Sequence, residues 1–328
     1  MDNDDEPFGG KVFVLSGDFR QILPVVVRGT PAQTIDACLK SSTLWSKFQQ
    51  LHLRENMRVM SAQNESTATE LAEFSEFLLQ VGEGRHESNP VLGLDCLKIP
   101  KNMLIENPVE ELSEDREDED IRPGAIPRGL MRVVDDMYAD INNPEIANDE
   151  YFANRTILTT TNAVVQSINE AVAQRLERVS REYLSTDSVE EDEEVNFFEQ
   201  EVLHTVNING IPPHKLTLKK GAPIMMNRNL NPDLRLLTVI RANFPSVCGA
   251  SSFRLNLPFA MTINKAQGQT VQNLGLYLST PCFSHGQQYV ALPRVTSRSK
   301  FKALIEYPQL EEEDGVYTDN IVYRQIFE

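Results

Sequence analysis

The sequence predicts an α/β fold built on a mainly parallel sheet. Three observations predict it. Short apolar runs recur along the 328 residues: VFVLS (Val12–Ser16), RTILTT (Arg155–Thr160), AMTI (Ala260–Ile263), LGLYLS (Leu274–Ser279) and FKALIEY (Phe301–Tyr307). Segments of helical periodicity stand between several of them. The runs are continuously apolar rather than alternating, as in strands covered on both faces, and strands separated by helices imply parallel crossovers.

Taken in order, VFVLS ends at Gly17-Asp18 and is expected to be a buried parallel strand feeding a loop. Thr43–Phe48 and Ser66–Val81 are expected to be helical. In the second, Leu71, Phe74, Phe77, Leu78 and Val81 share a face, and Gly82 and Gly84 are expected to stop it. From Arg85 to Pro127 the chain is rich in Pro, Asn, Asp and Glu and reads as an acidic connector. RTILTT is the next strand. Asn162 is the expected N-cap of a helix running to about Val179, with Val164, Val165, Ile168, Val172 and Leu176 on one face. Ser185–Asn196 is an acidic loop, and KGAPIMMNRN (Lys219–Asn229) reads as a strand leaving a turn. The last two apolar runs bracket a helix at about His285–Leu292. The expected division is residues 1–84, a connector at 85–127, and a second domain at 128–328, in line with about 150 residues per domain.

Composition excludes several classes. No stretch approaches the ~18 to 20 apolar residues of a membrane helix, and MDNDDEPFGG is too acidic for a signal or transit peptide. Cys38, Cys96, Cys248 and Cys282 are widely spaced with no histidine cluster, so buried free thiols are expected rather than zinc or disulfides, and no metal-binding set is expected. The net charge of −17 opposes a nucleic-acid reading at first sight. The acid is concentrated in Glu110–Asp120, Glu190–Glu194 and Glu311–Asp314, which leaves room for a local basic channel.

Three segments carry chemistry. Asp18, Arg20 and Gln21 in GDFRQILPV follow directly on an expected strand, where ligands of open α/β sheets bind. Asp18 could ligate magnesium, or the cluster could be a capped turn. FAMTINKAQGQT (Phe259–Thr270) concentrates donors at Asn264, Lys265, Gln267 and Thr270, with Gly268 permitting close backbone approach to an anion. Arg294, in SHGQQYVALPRVTS (Ser284–Ser297), could neutralise charge on a transferred phosphoryl group, worth ~10³ to 10⁵ in rate in known cases. A surface arginine in a salt bridge is the plain alternative.

Taken together and in this order, the segments resemble the petite-integration-frequency (Pif-type) DNA helicases of the Helitron-related branch. FGGKVFVLSGDFRQILPVV (Phe8–Val26), LRENMRV (Leu53–Val59), RTILTTTNAVVQSIN (Arg155–Asn169), IPPHKLTLKKGAPIMMNRNLNP (Ile211–Pro232) and the two late segments carry the resemblance. It implies two RecA-like motor domains of the P-loop helicase architecture that close on ATP and Mg2+, grip single-stranded DNA and forks, and step 5′ to 3′. Residues 1–84 would be the C-terminal part of the first and 128–328 the second. The resemblance implies that Gln21 senses the terminal phosphate, that Arg58 and Arg294 contact it, that Gln267 and Gly268 line the nucleotide, with Asp18 beside it, and that Asn264, Lys265 and Thr270 couple nucleotide to DNA. It implies roles in repair, recombination and telomere maintenance, in the nucleus or in mitochondria.

The sequence departs from that pattern in four places, of which the replacements at Leu15-Ser16 and Thr160 are expected to be tolerated. No G-x-x-x-x-G-K-[ST] loop stands in it, and Asp4, Asp5 and Glu6 ahead of FGGK do not follow an apolar strand and read as a solvated segment, so the isolated chain is expected not to hydrolyse ATP. Only about two dozen residues follow Leu234 where the family carries a small β-barrel, so a reduced, loop-like insertion is expected at 235–258. Pro293 replaces a serine and is expected to end the late helix early.

Overall fold

The computed structural model describes residues 7–62, 64–87, 89–105, 128–184, 215–226, 239–241 and 255–327. The expected acidic loop at 185–196, most of the connector at 106–127 and residues 242–254 lie outside them. In chain order the helices are α1 (Pro31–Asp36), α2 (Met57–Met60), α3 (Glu65–Glu83), α4 (Arg128–Met137), α5 (Asp149–Ala153), α6 (Asn162–Arg175) and α7 (Gln287–Ala291). The strands are β1 (Cys96–Pro100), β2 (Arg155–Thr159), β3 (Ser180–Leu184), β4 (Lys215–Lys219), β5 (Pro223–Met226), β6 (Val239–Arg241), β7 (Leu255–Asn256), β8 (Ala260–Thr262), β9 (Asn273–Leu278), β10 (Phe301–Ile305), β11 (Leu310–Glu312) and β12 (Gly315–Asp319). They group into two compact units. One gathers residues 1–104, 263–270 and 280–328; the other gathers 105–262 and 271–279. Compactness thus divides the chain differently from the expected lobes, because the segments 263–270 and 280–328 join the N-terminal residues.

The second unit is the α/β part. β2 pairs parallel with β8 and with β9, in register Ile157↔Ala260 and Ile157↔Gly275. Ile157, Leu158, Leu274, Leu276 and Tyr277 are fully buried, as strands covered on both faces should be. α4 lies so close to β9 that a Cβ on Gly275 would sit 2.8 Å from Met137 Cγ. The buried Asn169 side chain of α6 accepts from Ala260 N at 3.0 Å and so fixes α6 to β8. Thr161, not Asn162, caps α6, its hydroxyl accepting from Val164 N at 3.5 Å. The helix ends at Arg175, earlier than expected, because side chains take its last carbonyls: Asn142 donates to Arg175 O at 2.7 Å, and Lys219 Nζ to Gln174 O at 3.1 Å and Leu176 O at 2.7 Å.

Antiparallel pairs accompany this parallel core: β3 with β4, and β5 with both β6 and β7. The expected loop-like span 235–258 is therefore not wholly loop, since Val239–Arg241 and Leu255–Asn256 both pair with β5.

In the first unit, α3 begins at Asn64, whose side chain accepts from Thr67 N at 2.8 Å, and ends at Gly84, where φ is 65°. It runs through Gly82 rather than stopping there, and the glycine leaves room for the Tyr289 ring: a Cβ would lie 2.5 Å from Tyr289 Cδ2. The 43–48 stretch holds only one 3-10 turn, Trp45–Lys47. Part of the expected connector is ordered, as β1 pairs antiparallel with β12, which pairs with β11. Leu23, Cys38 and Ile326 form a small core with Phe19 and Tyr323 against it, so the C-terminal residues hold the N-terminal ones.

The first expected strand is overturned. Val12–Ser16 is not a buried strand: it has no strand assignment, and Val12 and Val14 are 93% and 87% exposed. A parallel strand is stable through neighbours that pair its backbone, and no described strand pairs with these residues. Phe13 is held only by stacking on Phe8, with ring centroids 4.3 Å apart.

Candidate functional site

All the sequence-selected residues lie in the first unit. The GDFRQ segment forms a tight turn. Gln21 N donates to Asp18 O at 3.1 Å, and Arg20 N and Nε donate to Asp18 Oδ1 at 3.0 and 2.8 Å. Asp18 Oδ2 accepts from the Tyr289 hydroxyl at 2.9 Å. Both carboxylate oxygens are therefore taken by protein donors, the geometry of a capped turn rather than of an open metal ligand. Among the described residues no group of three or more His, Cys, Asp or Glu is placed to hold a metal. Arg20 also reaches Glu83 at 3.3 Å and lies 5.7 Å over the Tyr289 ring.

The turn aims Gln21 at the late loop. Gln267 Nε2 donates to Gln21 Oε1 at 2.6 Å, joining residues 246 positions apart. Residues 263–266 form a 3-10 turn leaving β8, and Gly268 follows with φ 81° and nothing within 4 Å of where a Cβ would stand. Its value is the left-handed backbone and the open space beside it. Asn264, Lys265, Gln267, Gly268 and Thr270 are all exposed, while Ala266 is buried beneath them. Asn264 Oδ1 accepts from Gln287 at 3.4 Å, which links the loop to α7.

Arg294 closes the group. α7 ends at Ala291 and a 3-10 turn, Leu292–Arg294, carries Pro293, so the α-helix stops ahead of the proline. From that turn Arg294 donates to Ala266 O at 3.3 Å and Gln269 O at 3.1 Å. Its Nε is buried with no partner among the described residues. Burial first, then the like charge of Arg58, pull its pKa down, though a guanidinium stays cationic. Arg58 is exposed and makes no ion pair among the described residues. It lines a cavity of about 340 Å³ with Phe74, Leu78, Tyr289, Pro293 and Thr296. Two arginines with unused donors beside a glycine-opened loop can neutralise an anion.

Sequence reasoning passed over His285, Gly286, Tyr289 and Glu83. His285 is buried and uses both ring nitrogens: Tyr323 N donates to Nδ1 at 2.8 Å, so Nε2 carries the proton and donates to Phe19 O at 2.8 Å. Burial pulls its pKa below 6.5, with partial compensation from Phe19 O and Asp18. Burial and the Asp18 charge push the Tyr289 phenol up to about 12, so it remains a donor. The signal lay in SHGQQY itself, a histidine, a glycine and a tyrosine crowded one turn ahead of the arginine.

The PIF1-like helicase family model matches residues 1–90, and the 2B domain model of DNA helicase Pif1 matches residues 201–237. Over these two segments, less than half of the chain, the sequence is similar to Pif1-type helicases. The 2B match begins well before the expected insertion at 235–258, within the stretch that contains β4 and β5. Among solved structures, Pif1 helicase from Candida albicans matches at 18% identity with a TM-score of 0.54, covering 99% of this chain and 68% of that one. That likeness shows the fold, an α/β architecture with a parallel sheet. Bacteroides Pif1 bound to ssDNA matches at 18% identity with a TM-score of 0.44, over 91% of this chain and 63% of that one. A structure describing DNA unwinding at forked dsDNA by two coordinating Pif1 helicases matches at 18% identity and 0.32, over 54% and 47%. The chain thus spans between about half and two thirds of the length of these structures. No curated protein matches it.

Proposed function

We propose that this chain is the phosphate-sensing and DNA-coupling part of an ATP-dependent 5′–3′ DNA helicase. One observation carries the reading. The early glutamine and the late loop, 246 residues apart, meet through Gln21 and Gln267, and Arg294 is bonded to two carbonyls of that same loop. Residues 1–84 would belong to one motor lobe and 128–328 to the other. The donor set fits a nucleotide phosphate, since among the described residues Arg294 keeps a buried Nε without a partner and Arg58 makes no ion pair.

ATP with Mg2+ would supply the phosphoryl bond whose hydrolysis drives movement. Arg58 and Arg294 would neutralise the terminal phosphate, Gln21 would register it, and Gln267 and Gly268 would line its path. Asn264, Lys265 and Thr270, exposed on the same loop, would pass that state to single-stranded DNA. Repair, recombination and telomere maintenance, in the nucleus or mitochondrion, are the processes such a motor would serve. The 328 residues contain no Gly-x4-Gly-Lys-Ser/Thr loop, so we propose that this polypeptide by itself neither turns over ATP nor unwinds DNA. The same feature favours a second reading, a non-catalytic module that binds DNA or a protein partner.

Hydrolysis assays with and without single-stranded DNA test the proposal. No turnover is expected from the purified chain. DNA-stimulated turnover that Arg294→Ala abolishes would overturn its proposed inactivity while supporting the motor chemistry. DNA-independent turnover unaffected by Arg294→Ala would overturn both.

A further inference from the structure

We propose that His285, Gly286 and Tyr289 form a clamp that fixes the Asp18–Gln21 turn to the segment bearing Arg294, so that one rigid element positions both phosphate-facing groups. The inference rests on the functional reading above for its purpose, but its geometry stands alone.

Three contacts from five consecutive residues converge on three consecutive residues of the turn. Tyr289 donates to Asp18 Oδ2 at 2.9 Å. His285 donates to Phe19 O at 2.8 Å. Gly286, at φ 74°, lies so close to the turn that a Cβ would be 2.4 Å from Arg20 O and 2.8 Å from Gln21 C. The spacing explains the fit. His285 and Gly286 precede α7, Tyr289 stands within it, and Arg294 follows on the continuing 3-10 turn. A displacement of the Asp18–Gln21 turn is therefore handed to Arg294 through one short helical stretch rather than through a loop.

The clamp is also backed from behind. Gly82 clears the space for the Tyr289 ring. Glu83 accepts from Arg20 at 3.3 Å and from Arg85 at 2.6 Å. Tyr323, which donates to His285, comes from the C-terminal segment, where Lys40 Nζ holds Ile326 O at 2.5 Å. His285, Gly286 and Tyr289 would then be positioning residues. They would act through Gln21 and Arg294.

The chain carries its own reporter. Its single tryptophan, Trp45, packs edge-on against Phe19 with ring centroids 5.7 Å apart, so its emission reads the position of the clamped turn. Tyr289→Phe removes one hydrogen bond to a carboxylate and should speed exchange of the Arg20 and Gln21 amides on the order of 10-fold. It should also red-shift Trp45, increase its quenching by acrylamide, and speed exchange of the Gln267 and Gln269 amides, while β2 and β9 stay unchanged. Unchanged Trp45 emission and unchanged exchange at Arg20 and Gln21 would overturn the clamp. So would faster exchange confined to those two amides, which marks a local support and no coupling.

If Tyr289→Phe lowers the melting temperature, the His285 pair decides. His285→Gln keeps a donor for Phe19 O and should retain the wild-type Trp45 signal, whereas His285→Leu should lose it. Equal Trp45 signals in the two variants would overturn the proposal. Single-stranded DNA binding by the same preparations separates the two readings. Its absence would remove the helicase assignment and leave the Trp45 outcome intact, and a failed Trp45 outcome would remove the clamp alone.

Discussion

Two apolar runs of similar composition end in opposite states. Leu274–Leu278 is buried almost completely, its backbone paired with β2 and its Gly275 pressed against α4. Val12–Leu15 is as apolar, yet Val12 and Val14 are 93% and 87% exposed and Phe13 and Leu15 are 52% and 53% exposed. Apolarity makes a segment able to be a strand, but only partner strands and a covering helix make it one. The residues that follow each run differ in the same way. The turn after Val12–Leu15 is held by side chains from distant segments, not by a sheet edge.

That contrast can be broken by substitution. Leu276→Ala removes a fully buried side chain from a paired strand and should cost about 2–5 kcal/mol. Denaturant unfolding measures it, and a loss under 1 kcal/mol would mean that β9 is not packed as described. Gly275→Val places a side chain against Met137 and Val133 and should cost about 1–3 kcal/mol by the same measurement. Val14→Lys, on the exposed run, should change stability by no more than about 0.5 kcal/mol. A loss above 2 kcal/mol there would show that the run is paired in solution.

A smaller, conditional effect concerns His285. Its pKa in the folded chain lies below the ordinary 6.5 because burial disfavours its cation, with Asp18 the charged neighbour and Tyr323 and Phe327 the rings beside it. The sign follows directly: the neutral form is the one the fold binds, so the stability it contributes is present above pH 6.5 and is lost as pH falls through its depressed pKa. His86 is shifted the same way, with burial again the first cause. The melting temperature should therefore fall between pH 7.5 and 5.5, and His285→Gln should remove part of that slope. An unchanged slope would mean that His285 stays neutral throughout or pairs differently.

Much of the α/β frame was legible because its signals are local. β2, β8, β9, β10, α3 and α6 follow apolar runs or helical spacing, and the turn before β5 carries Gly221 at φ 77°. The failures are non-local. The end of α6 depends on Asn142 and Lys219, Gly82 within α3 leaves room for Tyr289, and the exposure of Val12 depends on neighbouring strands. None of these partners lies within ten residues of what it decides. At the site, Gln21, Gln267 and Arg294 were chosen individually from sequence, and the structure brings them together. His285, Gly286 and Tyr289 were hidden because their roles exist only against Asp18, Phe19 and Arg20, more than 260 residues away.

In the function proposed above, the exposed loop Asn264–Thr270, bonded to Gln21 and Arg294, couples the motor to DNA. Equilibrium binding of a fluorescent single-stranded oligonucleotide across a range of salt concentrations tests it most directly. Binding should weaken with salt, with Lys265→Ala lowering the log–log slope by about 0.7, the contribution of one phosphate contact on single-stranded DNA. Binding that is absent at low salt, or a slope that Lys265→Ala leaves unchanged, would contradict it.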